Sequence, residues 1–205
     1  MPAATVALAP PQTVRSEKVL IRRSDAVIGV HINYVIEEDL IIDDLPEGAG
    51  RDNYLALLNN KGAVTRITFP DWVKYAGNKT FQWRGSIQIQ TIYKRKANAN
   101  GYSCYGRGTT QGDAVKGQVT LGFHEWCHRQ FLVDYLEDHP LPLPVLKAGM
   151  TQDQFKEEME RFERAAHEYD RTVRRLNEQS VDEVGHTRSR YVQTQRCYTH
   201  TLPLR

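Results

Sequence analysis

Apolar positions recur at alternating steps of four and three along residues 151–179: Phe155, Met159, Phe162, Ala166, Tyr169, Val173 and Leu176. That spacing draws one apolar stripe on a helix. Thr151 with Gln154 gives the start of that helix a capping-box pattern. A different period holds in "TFQWRGSIQIQTIYKR" (80–95), where Phe81, Trp83, Ile87 and Ile89 fall on one side and Gln82, Arg84, Gln88 and Gln90 on the other. Alternation of this kind marks a half-buried strand. Residues 18–45 carry β-branched side chains in short runs and also read as strands. Residues 114–138 read as a helix with Asp113 as its N-cap, despite Gly117 and Gly122. "HPLPLPVLKAG" (139–149) ends it, because proline lacks an amide proton and restricts the residue before it. Residues 46–53 and the Gly/Asn-rich run 96–113 read as loops, and 54–60 as one or two helical turns.

The expected architecture is α+β. A β-rich half (18–112) packs on a helical hairpin (113–179) and is followed by a polar tail (180–205). Residues 1–17, rich in Ala, Pro and Thr, are expected to form a flexible arm outside this single domain.

Composition narrows the function classes. The chain has 205 residues, 25% charged and 40% apolar, with a formal charge of +2. Such a balance suits a soluble globular protein and gives no argument for nucleic acid. No apolar run is long enough to span a membrane. The opening "MPAATVALAPPQTV" lacks the basic and long apolar regions of a secretory signal peptide, so a cytoplasmic protein, or one exported without such a signal, is expected. Three cysteines at irregular spacing fit neither a disulfide framework nor a thiolate zinc motif.

One stretch carries chemistry. In "LGFHEWCHRQF" (121–131), His124 and His128 lie four apart, with Glu125 after the first. Residues i and i+4 share a helix face, so both imidazoles can converge on one metal ion. Glu125 sits about 100° round the helix, beside the ion and not on it. Two ligands and an adjacent base are the working parts of an H-E-x-x-H zinc hydrolase, with Zn2+ as cofactor. Packed, hydrogen-bonded histidines are the plain alternative. Cys127 and Trp126, inside the motif, read as core.

The order of strand, H-E-x-x-H helix and second amphipathic helix resembles the zinc peptidases of the zincin type. The metzincin glycine and third ligand would fall at Phe131 and Asp134, which do not match, so Asp134 reads as an exposed or capping acid. A third ligand from the second helix would be Glu163 or His167, if the hairpin folds about residue 145 and sets His128 opposite Phe162 and His124 opposite Ala166. A further resemblance, in "NEQSVDEVGHT" (177–187), is to the N-x-x-Y-D-x-x-T-x-H-G segment of a bacterial family of predicted secreted zinc proteases. Asn177 and His186 match it, whereas its Tyr, Asp, Thr and Gly do not. That resemblance implies His186 as third ligand, ahead of His167 and then Glu163.

Tyr191, His200, Arg188 and Arg190 are candidates to stabilise an oxyanion. The polar face of strand 80–95 could take an extended peptide by strand addition. The expected function is a zinc-dependent endopeptidase acting on protein or peptide substrates, with a delivered bacterial effector or toxin as one setting. The alternative is a non-catalytic metal-binding structural or protein-interaction module.

Overall fold

The computed structural model describes residues 15–58, 61–185, 187–192 and 197–200. The N-terminal half is a six-stranded mixed sheet, and the C-terminal half supplies two long helices on it, so the α+β expectation holds.

The sheet is organised around one long strand. Strand β1 (Ser16–Ser24) pairs antiparallel with β2 (Ile28–Ile36). After a short β3 (Leu40–Ile41) and helix α1 (Ala49–Leu58) come β4 (Ala63–Thr68), β5 (Trp72–Tyr75) and β6 (Thr80–Tyr93). Strand β6 is the hub. It pairs in parallel with β2 and β3, and antiparallel with β4 and β5. Its alternation is as the pattern requires, since Phe81, Trp83, Ile87 and Ile89 are all at most 2% exposed. Because β6 has neighbours on both sides, it offers no edge for an added strand. The edge position belongs to β4 and β5 on one side of the sheet and to β1 on the other.

Several boundaries differ from the pattern, each for a local reason. The helix expected over 114–138 is two: α2 (Gln111–Val115) and α3 (Leu121–Asp138). Gly117, at φ +69°, turns the chain between them, a conformation glycine adopts without penalty. Thr110 caps α2 and Thr120 caps α3 through their side chains. Asp113 is no cap; it is buried against Arg107. Helix α1 begins at Ala49, inside the segment read as loop, and β1 includes Ser16 and Glu17 of the expected arm. In the expected tail, β7 (Thr187–Val192) and β8 (Cys197–His200) form an antiparallel pair.

Helix α4 (Gln152–Val181) carries the expected capping box at Thr151 and Gln154. Its stripe residues Phe155, Met159, Phe162 and Val173 are buried with Leu132 and Leu136 of α3 against the sheet. The pairing of the helices is not symmetric about residue 145. His128 meets Asn177, about four helical turns beyond Phe162, and Tyr135 meets Tyr169. The proline-rich connection explains the offset. It runs extended beside the first turns of α4, burying Leu141 and Leu146 and donating the Val145 N–H to Glu158 Oε1 at 2.8 Å. The two helices therefore do not close as a tight hairpin. Phe162 packs instead among Phe81, Trp72 and Trp83.

Candidate metal centre and its cleft

Helix α3 is buried almost all round in its first turns: Phe123, His124, Glu125, Cys127, His128 and Arg129 are each at most 8% exposed. A half-apolar helix with that much polar burial must have partners for its polar groups. They come from three directions.

The first is the glycine-rich loop before α2. The Nδ1 of His124 lies 3.0 Å from the carbonyl oxygen of Arg107. A carbonyl only accepts, so this nitrogen carries the proton and Nε2 presents a lone pair. The Arg107 N–H in turn donates to Val181 O at 2.7 Å, which ties the loop to the end of α4. This approach needs glycine at 106: a Cβ there would come within 2.2 Å of Val181 O and 3.0 Å of His124 Cε1, and its φ is +64°. Gly185 (φ +69°) bridges to Gly106 from the other side. The Arg107 side chain is anchored by both carboxylate oxygens of Asp113. Burial alone would raise the Asp113 carboxyl, but the guanidinium and the Gly108 N–H hold it below its ordinary value.

The second is α4. Asn177 donates from Nδ2 to the His128 carbonyl at 3.0 Å, which fixes the orientation of its amide. Its Oδ1 then accepts from His128 Nδ1. The Nε2 of His128 is left with a lone pair, like that of His124.

The third is Asp182, the C-cap of α4. Its Oδ1 lies 3.1 Å from His124 Nε2 and 2.9 Å from His128 Nε2, and the two imidazole nitrogens are 3.1 Å apart. Three lone-pair donors thus form a near-equilateral triangle. Tetrahedral zinc with bonds of about 2.0–2.1 Å spaces its ligand atoms about 3.3 Å apart, so this set fits a zinc ion with little adjustment. The three groups are also coupled electrostatically. Burial disfavours a charged His128, yet the Asp182 carboxylate and Glu125 raise its pKa overall. Burial pushes the Asp182 carboxyl up, but the two histidines outweigh this and hold it far below the usual carboxylate range.

Glu125 stands beside this triangle and outside it. Its Oε2 accepts from the Thr65 hydroxyl of β4 at 2.8 Å. A hydrogen-bonded row continues behind it, from Thr65 to Thr91 (2.8 Å) and from Thr91 to Arg129 (2.7 Å), which pairs with Asp39. A cleft of about 170 Å³ opens over these groups, bordered by Lys61, Thr65, Tyr105, Glu125, Asn177 and Asp182. The Tyr105 ring stands 4.9 Å from that of His124. Burial, and then the charges of Asp182 and Glu125, raise its pKa well above the ordinary phenol, so the hydroxyl keeps its proton. Cys127 faces away, packed with Phe123 and Val181, and burial pushes its thiol up to about 12.

The sequence-derived ligands divide accordingly. His124 and His128 converge. His186 lies outside the described residues. Glu163 pairs with Lys74 of β5 at 2.5 Å, and the His167 ring stands 6.3 Å from Trp72, so both lie near the middle of α4 and apart from the triangle at its C-terminal end. Arg188, Arg190 and Tyr191 fall on β7 and His200 on β8. Asp134 is exposed and accepts from Gln130. The third side chain of the triangle, Asp182, is not among the residues that the sequence singles out. Its signal was present as an acid near Asn177 in the segment 177–187, displaced from the family pattern by one residue.

No family model, no curated protein and no solved structure matches this chain. Among the described residues, no helix is long and apolar enough to cross a membrane.

Proposed function

We propose that the protein is a zinc-dependent peptidase, with His124, His128 and Asp182 as the metal ligands and Glu125 as general base. The reading rests on one observation: three lone-pair donors converge, with separations of 2.9 to 3.1 Å, beside a buried carboxylate that is not part of the set. The bound ion would polarise a scissile carbonyl and acidify a water molecule in the cleft. Glu125, steadied at Oε2 by Thr65, would take the proton from that water and return it to the leaving amine. Tyr105 and Lys61, at the cleft wall, supply donors for the negative charge that grows on the carbonyl oxygen.

The substrate would lie along β4. The Lys94 N–H donates to Gly62 O, so by antiparallel alternation the N–H and C=O of Ala63, Thr65 and Ile67 turn away from β6. The Ile67 carbonyl indeed accepts from Arg174. Among the described residues no strand pairs with β4 on its outer side, and its backbone edge at Thr65, next to Glu125, suits pairing with an extended peptide.

The test is zinc content and peptide cleavage in wild type and Glu125→Gln. The expected result is about one zinc per chain in both, with cleavage reduced on the order of a hundredfold in the variant. Unchanged cleavage in Glu125→Gln would remove the base assignment. Stoichiometric zinc in a wild type inert toward every peptide would favour a structural metal module.

A further inference from the structure

The cleft over Glu125 adjoins a second hollow across the hydrogen bond between Arg174 and Ile67. Ala166, Asp170, Arg174 and Asn177 follow one another along one side of α4, and the first three border this second hollow, of about 370 Å³. Ile67 and Arg174 border both hollows, joined by the Arg174 Nη2 bond to Ile67 O at 2.9 Å. The second hollow is walled by Phe69, Trp72, Trp83, Leu141, Ala166 and Tyr169. The polar ends of these walls are already used within the fold. Trp83 Nε1 donates to Pro70 O at 2.9 Å, the Tyr169 hydroxyl donates to His139 O at 2.8 Å, and Asp170 pairs with Arg174. What remains facing the hollow is mostly ring face and hydrocarbon, with Thr68, Asp71 and His167 exposed at its rim. Such a lining gains from taking apolar surface out of water and offers little to a charged group.

We infer that this hollow is a specificity subsite for a large apolar side chain, aromatic or long aliphatic, of an extended peptide bound along β4. The inference rests on the peptidase reading for its occupant. Phe69 lies four residues beyond Thr65, about 13 Å along an extended chain. The anchored side chain would therefore sit about four residues from the bond held over Glu125.

The test measures binding and not turnover. Zinc-loaded Glu125→Gln protein is titrated with Ser/Ala decapeptides carrying one Phe at each position in turn, and with the Phe-free parent, by calorimetry. The subsite predicts that Phe at one position tightens binding about tenfold or more, the scale of several buried methylenes. Ala166→Trp, which fills the hollow, should abolish this gain with zinc content unchanged. Phe69→Ala, which removes a wall, should reduce it and serves if the larger side chain prevents folding. Equal affinity for the Phe-bearing and parent peptides, binding of neither, or a Phe preference untouched by both variants would overturn the subsite. A clear Phe preference together with a wild type that cleaves none of these peptides would leave the subsite standing and sink the peptidase reading.

Discussion

His128 and Asn177 grip each other twice. The imidazole Nδ1–H donates to the Asn177 side-chain oxygen, and the Asn177 amide donates back to the His128 carbonyl at 3.0 Å. This reciprocal pair fixes the tautomer of a candidate ligand and sets the register of α3 against α4. Both partners are buried, His128 at 8% and Asn177 at 6% exposed.

Asn177→Ala should therefore weaken zinc affinity about 10–100-fold, the usual cost of losing a group that orients a ligand. A competing chelator read at equilibrium gives the number. An affinity within twofold of wild type would mean that His128 is oriented by other groups.

Gly106→Ala should impair the site from outside it. The added methyl would meet Val181 O and His124 Cε1, and the left-handed backbone adds strain. Zinc affinity should fall at least tenfold, and thermal unfolding should come several degrees earlier. Wild-type values for both would show that the loop yields without disturbing His124.

Glu163→Gln and His167→Ala should leave zinc affinity within about twofold of wild type, because these residues face Lys74 and Trp72 near the middle of α4, away from the triangle. Phe162→Ala, in the same region, should cost stability alone, about 3–5 kcal/mol for a buried aromatic. Urea denaturation and a chelator titration separate the two effects. Loss of zinc in His167→Ala would return the third ligand to the middle of α4.

How far the sequence could be read follows the range of the forces involved. The β6 alternation, the α4 stripe and its capping box are local, and all three are found in the fold. The face shared by His124 and His128 follows from helix geometry alone. The approach of Asp182 to the two histidines is not local: it depends on the pairing of two helices, and the extended segment between them displaces that pairing by about four turns. The support from Arg107 O was hidden for a different reason. Backbone carbonyls have no letter in the sequence, and of the glycines that allow the contact, 106 reads only as loop and 185 as part of a polar tail.

The identity of the third ligand is the most direct test of the account. Zinc affinity should be measured by chelator competition for wild type, Asp182→Ala and His186→Ala. Wild type should bind one zinc per chain, and Asp182→Ala should lose at least a hundredfold in affinity, since two remaining imidazoles hold zinc poorly. His186→Ala should keep near-wild-type affinity. Tight zinc binding by Asp182→Ala together with its loss in His186→Ala would contradict the triangle of His124, His128 and Asp182.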